Sequence, residues 1–483
     1  MLSRTGSTSR SLCLVLTLWL GLAGGLVLGA QASLPAGLGL ASFSREPLFW
    51  QARQARMPAL PGNGSRLVPA AGAQSESSFV SKQRLEVFEQ VWRAVSERYY
   101  DRTFHGIDWP AQHTAFRGVV QEAHGRTEFY AVLRRMLGLL GDAHTRVFSP
   151  EDGFDRNRPS GITVGVVVRP IEGAAVITWV ESGSEAARLG LRPGQRVQSI
   201  DGSPVERALE RARAEVGLSS TPLARELLSF ERLFYGPRDT TVELSVAGEE
   251  GERRTVALKR RFAEFPRRVI TRRLPNDVGY IELTGFGPEI EKDFEAAVVS
   301  FMNSRGLILD LRNNGGGFVS TVARVASYFF TEETELGVFI TRRGQAAPRR
   351  TQRLHPVYRE PVVILVSARS ASGAEMLAAS MQERHRALIV GTSPATCGCL
   401  VGVSRTISLP DGGKLNVSDT DYRTAQGRRI EGAGVQPDER IDLRIADLVA
   451  GRDRVLEWSV DHLSHRVETH TDSRLSRRAT ERK

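Results

Sequence analysis

Ser372 stands in a turn of small residues, Ser370-Ala371-Ser372-Gly373-Ala374, between two different patterns. Before it, Val362-Val363-Ile364-Leu365-Val366 is too short for a helix and suits a buried strand. After it, Met376, Leu377 and Met381 recur at helical spacing. A hydroxyl in that turn lies at a helix N-terminus, where free N–H groups and the dipole favour negative charge. Acyl transfer needs that setting, a nucleophile beside an oxyanion site. Taken alone, small residues at a strand–helix turn are more often structural.

A second turn, Asn313-Asn314-Gly315-Gly316-Gly317, follows the strand-like Leu307–Leu311 and precedes a helical pattern from Val319 to Phe330. It fits neither GxxxxGK(S/T) nor GxGxxG, which speaks against a phosphate cradle. Its glycines would instead let backbone N–H groups approach a substrate carbonyl. His144, in Leu140-Gly141-Asp142-Ala143-His144-Thr145, follows a helical pattern. An imidazole there can move protons near neutral pH or simply decorate a surface loop. Cys397 and Cys399 are separated by one glycine, which argues against a disulfide framework. Two thiols without suitably spaced histidines also argue against a zinc site, so no metal is expected.

The elements around these residues fall into blocks. Residues 78–152 form a helical region, with Phe88, Val91, Trp92 and Val95 on one face and a second helix expected over Thr127–Leu140. Residues 158–248 are a β-rich module. It has strands expected at Val164–Val168 and Ala175–Val180, then Gly183–Leu191, Pro193-Gly194-Gln195-Arg196-Val197 and Ile200-Asp201-Gly202. After a basic connector (Lys259-Arg260-Arg261, Arg267-Arg268), residues 265–463 alternate strand and helix. That alternation predicts an α/β core with a parallel or mixed sheet.

The 483 residues carry 65 basic and 55 acidic side chains, a formal net charge of +10. Arginine is spread along the chain without basic–aromatic blocks, which disfavours a nucleic-acid partner. Arg4 and Arg10 precede a charge-free Leu-rich run from Leu12 to Leu28, and Ala30-Gln31-Ala32 follows. Residues 1–32 therefore read as a signal peptide and the protein as exported, periplasmic or secreted. Left uncleaved, the same run would anchor the chain at a membrane. Residues 33–77, rich in Ala, Gly, Pro and Ser, read as a linker, and 464–483 as a basic tail.

The β-module's segment resembles a PDZ domain, which binds extended peptides or C-termini by strand addition. Gly161, Ile162 and Val164 would meet the peptide. With it, the order Leu309-Asp310-Leu311-Arg312-Asn313-Asn314-Gly315-Gly316-Gly317, Ser370-Ala371-Ser372-Gly373-Ala374-Glu375 and Gly432-Ala433-Gly434-Val435-Gln436-Pro437-Asp438 resembles the tail-specific, or carboxyl-terminal processing, proteases of peptidase family S41. The resemblance spans Phe79 to Leu463. It implies a catalytic core resembling the ClpP/crotonase-like fold, protein or peptide substrates, no cofactor, and Ser372 as nucleophile.

Many family members use a lysine 25 positions after the serine and a glutamine four residues further. Here those positions are Cys397 and Val401, so the dyad is lost. Three readings follow. In the first, the base is a histidine, as in the tricorn-type branch. His144 then acts as base, Glu431 supports it, and the oxyanion sits on N–H groups of Gly373 and either Gly316 or Gly317. Ala143 departs from that branch, which has serine there. In the second, the chain is a degenerate relative that binds peptides or hydrophobic ligands, as does interphotoreceptor retinoid-binding protein. In the third, Cys397 or Cys399 is chemically active. The first accounts for the most residues, with Glu375 expected to make local contacts at the helix start.

Overall fold

Amphipathic helices α1 (Ser81–Arg98), α2 (Trp109–Glu122) and α3 (Gly125–Gly138) pack their apolar faces together around Phe88, Trp109, Phe129 and Leu133. Asp108 caps α2, accepting the Ala111 N–H at 3.0 Å. The computed structural model describes residues 81–248, 251–400, 402 and 404–465. The expected signal peptide (1–32) and linker (33–77), Val401 and most of the expected tail lie outside the described residues.

The helical region does not end in a free loop. Strand β1 (Arg146–Phe148) leaves α3 and pairs with a strand from near the chain's other end. Val147, Leu409, Leu415 and Val417 thereby join the helices' core. His144 sits just before β1, fixed against the C-terminal part of the chain.

In the β-module, β2 (Ser160–Thr163) precedes β3 (Val166–Ile171), β4 (Ala174–Val180), helix α4 (Glu185–Arg188), β5 (Arg196–Ile200) and the short β6 (Ser203–Pro204). Helices α5 (Val205–Val216) and α6 (Pro222–Arg232) lead to β7 (Thr241–Ala247), β8 (Arg253–Lys259) and β9 (Arg261–Glu264). The sheet runs β3-β4-β5-β7-β8, and β2 pairs separately with β9. The sequence suggests one strand over Val164–Val168. Gly165, at φ +78°, bends the chain there and splits β2 from β3. The expected basic connector is not a linker. Lys259 and Arg261 end and begin strands, while buried Arg260 donates to the Phe234 and Thr241 carbonyls.

The last block is α/β, as the alternation predicts. It runs β10 (Val269–Leu274), β11 (Val278–Leu283), α7 (Glu291–Ser300), β12 (Gly306–Asp310), α8 (Val319–Ser327), β13 (Glu335–Thr341) and β14 (Ala346–Arg350). It continues with β15 (Val362–Val366), α9 (Gly373–Glu383), β16 (Ala387–Gly391), β17 (Ser404–Ser408), β18 (Lys414–Ser418), β19 (Thr420–Thr424), β20 (Glu439–Arg440) and α10 (Ile445–Val449). The main sheet has the order β10-β11-β12-β15-β16-β20, parallel except at β10. Strands buried on both faces explain the unbroken apolar runs. Leu307, Leu309, Val362 and Ile364 face the core under α7, α8 and α9. Ile308, Val363 and Leu365 face Val455, Val460 and Leu463 of the final helix, which follows α10 and begins at residue 454. Two smaller sheets, β14-β13-β19 and β1-β18-β17, complete the block.

Candidate active site

Adjacent parallel strands set the site. β12 and β15 are neighbours, with Asp310 opposite Leu365, so the turns at their C-terminal ends lie side by side. Hydrogen bonds knit the two turns together. The Ser370 hydroxyl donates to the Leu311 carbonyl at 2.7 Å, and the Ala371 N–H donates to the Asn314 carbonyl at 3.0 Å. Buried Asn314 also donates to the Leu283 carbonyl. Arg312 grips Asp310 and Asp453, pinning the start of the glycine turn to the final helix.

Ser372 occupies φ +53°, ψ −114°, a region that L-residues rarely adopt. Such a conformation costs about 1–3 kcal/mol and persists only where the surroundings impose it. Here the Glu375 carboxylate accepts the Ser372 N–H at 2.9 Å, while the Ser372 carbonyl accepts the Met376 N–H and opens α9. The side chain is held half-exposed in a cleft shared with His144, Gly317, Gly373 and Cys397.

The glycine turn presses against this serine. A Cβ on Gly316 would stand 2.7 Å from the Ser372 Cβ and 2.8 Å from the Gly373 nitrogen. A Cβ on Gly317 would collide with the Phe286 carbonyl at 1.9 Å. The Gly316 N–H is committed to the Asn314 side chain at 2.8 Å. The N–H groups of Gly317 and Gly373, by contrast, make no hydrogen bond among the described residues. Two free donors therefore flank the serine, which narrows the choice between Gly316 and Gly317.

His144 is placed by Asp142. The Asp142 carboxylate accepts the His144 N–H at 2.8 Å and the Thr145 hydroxyl at 2.5 Å, and that hydroxyl accepts the Ser418 N–H. Burial pushes the imidazole pKa below its usual 6.5; Asp142 opposes the shift, while Arg146 and Arg156 add to it. A neutral, proton-accepting ring near pH 7 is the result. Among the described residues its Nδ1 is buried without a hydrogen-bond partner, and no hydrogen bond joins the ring to Ser372.

Glu431 is buried in the turn after β19, and among the described residues neither carboxylate oxygen has a partner at full hydrogen-bond geometry, though Ser220 lies near enough to favour its charged form. Burial, followed by the charge of Asp142, pushes its pKa up to about 9. The structure does not bring Glu431 into hydrogen-bond contact with His144. Asp142 is the carboxylate that both residues feel. It was missed in the sequence, although an Asp two residues before a His and three before a Thr is a recognisable local acceptor.

The largest surprise lies at Cys397 and Cys399, which form a disulfide with Cα atoms 5.1 Å apart. Their spacing alone argues against a disulfide framework. Gly398, at φ +68°, turns the chain so that two cysteines so close can meet. The bridged loop is a hub. Fully buried Glu375 accepts from the Thr396 hydroxyl, the Gly398 N–H and the Cys399 N–H as well as from Ser372. Burial, only partly offset by these donors, raises its pKa to about 7. The Ser370 carbonyl takes the Cys397 N–H, and the Gly398 carbonyl takes the Gly432 N–H beside Glu431. Ala143 and Ala371, neighbours of His144 and Ser372, pack against the same disulfide. Thus Glu375 reaches well beyond local helix-start contacts.

The β-module supports this hub from outside. Thr221, capping α6, donates to the Cys397 carbonyl at 2.7 Å, and the Ser220 hydroxyl accepts the Ala143 N–H. Of the expected peptide contacts, Gly161 and Ile162 lie on β2 opposite Ala263 and Phe262 of β9. Val164 is buried in the module's core. The sheet's edge strands are β3 and β8. Among the described residues no group of His, Cys, Asp and Glu could hold a metal ion.

Comparison with known proteins agrees with this architecture. Residues 277–441 match the profile of peptidase family S41, and residues 81–138 that of the tricorn protease C1 domain. A carboxyl-terminal-processing protease of Synechocystis is 26% identical over 433 residues, covering 86% of this chain and 95% of that protein. The structure of a photosystem II D1 C-terminal processing protease shares 25% identity at a TM-score of 0.50, over 74% of this chain and 93% of that one. Mature CPAF complexed with lactacystin shares the fold, with a TM-score of 0.63 at 16% identity over 80% of this chain and 98% of that one.

Proposed function

The chain belongs to peptidase family S41 and is a serine-type peptidase; from that premise we propose that it cleaves proteins or peptides through an acyl-enzyme on Ser372 with His144 as base. One observation carries this reading. A serine forced to positive φ lies between two unused backbone N–H groups, in the same cleft as a histidine that burial keeps neutral. Ser372 attacks the scissile carbonyl, and His144 accepts its proton and returns it to the leaving amine. The developing oxyanion is held by the N–H groups of Gly373 and Gly317. Asp142 positions His144 through the backbone, and Glu431, a protonated acid behind Asp142, supports it as a positioning residue.

The position where the family resemblance leads one to expect lysine has a different job here. Its disulfide-closed loop fixes Glu375, and Glu375 fixes the nucleophile's strained backbone. A disulfide also suits an exported protein in an oxidising compartment. We assign the β-module as a PDZ domain that takes a substrate's C-terminus as an added strand along β3. Among the described residues no helix is long and apolar enough to cross a membrane.

The test is turnover of an unfolded protein substrate. Ser372→Ala should abolish cleavage, and His144→Ala should lower kcat by roughly 10²–10⁴-fold. Because the His144 pKa is lowered, wild-type activity should persist to below pH 6.5 before protonation removes the base. An unchanged rate in His144→Ala would refute the assignment.

A further inference from the structure

The cleft that holds Ser372 and His144 is lined by five arginines against two carboxylates, Asp155 and Glu231. Two of the arginines are occupied. Arg350 pairs with Glu333 and Glu335, and Arg369 with Glu231 at 3.7 Å. Asp155 is engaged locally, accepting the Asn157 N–H. The other three, Arg146, Arg156 and Arg349, have no carboxylate within ion-pair distance among the described residues. Each instead lies over a phenylalanine of the same cleft, Phe148, Phe318 and Phe339, at 5.9–6.0 Å.

A ring face satisfies a guanidinium only weakly at an exposed site. Arg156 spends two donors on Ser404. Arg146 spends none on any described residue, so its planar fork stands open in a concave wall. It begins β1, two residues after His144, on a strand locked to β18 opposite Asn416. The fork is therefore held close to the proposed base by backbone pairing.

We propose that this cleft selects peptides bearing a carboxylate near the bond to be cut, and that Arg146, helped by Arg156, receives it. The proposal rests on the peptidase reading, because the same cleft serves both. A carboxylate fits the guanidinium fork in a bidentate manner, and a charge-assisted bond strengthens where water is sparse. The phenylalanines beneath the arginines offer apolar contact to the flanking peptide. The carboxylate comes from an acidic side chain or from a free C-terminus; the chemistry of recognition is the same.

A second consequence concerns the base. Arg146 and Arg156 are the cations that help keep the His144 pKa low. A bound carboxylate neutralises them, so the acid limb of kcat should lie at higher pH for an acidic peptide than for its neutral counterpart.

The experiment uses Ser372→Ala protein and fluorescein-labelled versions of one peptide. A glutamate is walked through it against glutamine, and the C-terminus is either acid or amide. One carboxylate-bearing version should bind roughly tenfold tighter than its neutral match. The advantage should shrink with added salt and disappear when Arg146→Gln is introduced, but survive Arg353→Gln, outside the cleft. A gain with glutamate assigns a side-chain carboxylate, and a gain with the free acid assigns the C-terminus. Equal binding of all versions, or an advantage that survives Arg146→Gln, overturns the proposal. Cleavage by wild-type protein separates the two readings. Turnover without carboxylate preference would sink only this inference, whereas preference in binding without any turnover would sink only the peptidase reading.

Discussion

Replacing Glu431 by glutamine should change how stability depends on pH. The wild-type carboxyl is held at about 9 against an ordinary 4.5, first by burial and then by the charge of Asp142. Its folded state therefore keeps a proton that the unfolded chain releases. The associated stability is fully present below about pH 4.5 and is lost as pH rises towards 9. One unit of displacement is worth about 1.4 kcal/mol, so the loss between about pH 5.5 and pH 7.5 approaches 3 kcal/mol. Glutamine has the same shape and no proton to lose. Glu431→Gln should match wild type near pH 5 and exceed it by a growing margin as pH rises from there towards 9. Glu375, raised to about 7, adds its own slope below neutrality to both proteins and cancels in the comparison. Urea unfolding at several pH values measures the difference directly. Parallel stability curves would refute the reasoning, because they would mean that Glu431 titrates alike in the folded and unfolded chains.

Opening the Cys397–Cys399 disulfide tests the hub. So short a loop is worth only about 1.6 kcal/mol of chain entropy, so Cys397→Ser/Cys399→Ser should cost little in Tm. It should cost far more in kcat, because the Gly398 and Cys399 N–H groups help fix Glu375 and so Ser372; a variant with full activity would contradict the coupling. Gly316→Ala should push a methyl into the Ser372 Cβ and lower kcat at least tenfold, with a stability loss of about 1–3 kcal/mol for the overpacked turn. Unchanged kinetics there would mean that the glycine turn does not set the serine's position.

The strands and turns were legible because their chemistry is local. Five consecutive apolar residues ahead of small ones announce a buried strand and a sharp turn, and β15 and α9 follow that pattern. Ser372 and the glycine turn were legible for the same reason. What the sequence concealed depends on partners distant along the chain. Gly316 and Gly317 look equivalent until the Asn314 side chain takes one N–H. Glu375 looks like a helix-start residue until the 396–399 loop folds onto it. His144 looks like loop decoration until β1 pairs with β18. The disulfide was the nearest miss, since a glycine between two cysteines already supplies the backbone freedom it needs.

Ser372 as nucleophile is the claim on which the rest depends, and covalent labelling tests it most directly. Purified wild-type protein exposed to a serine-directed fluorophosphonate should take up one adduct, seen by intact mass and mapped to the peptide containing Ser372. Ser372→Ala should take up none, and His144→Ala should react far more slowly. Labelling that persists in Ser372→Ala, or a wild-type protein that does not label, would contradict the account.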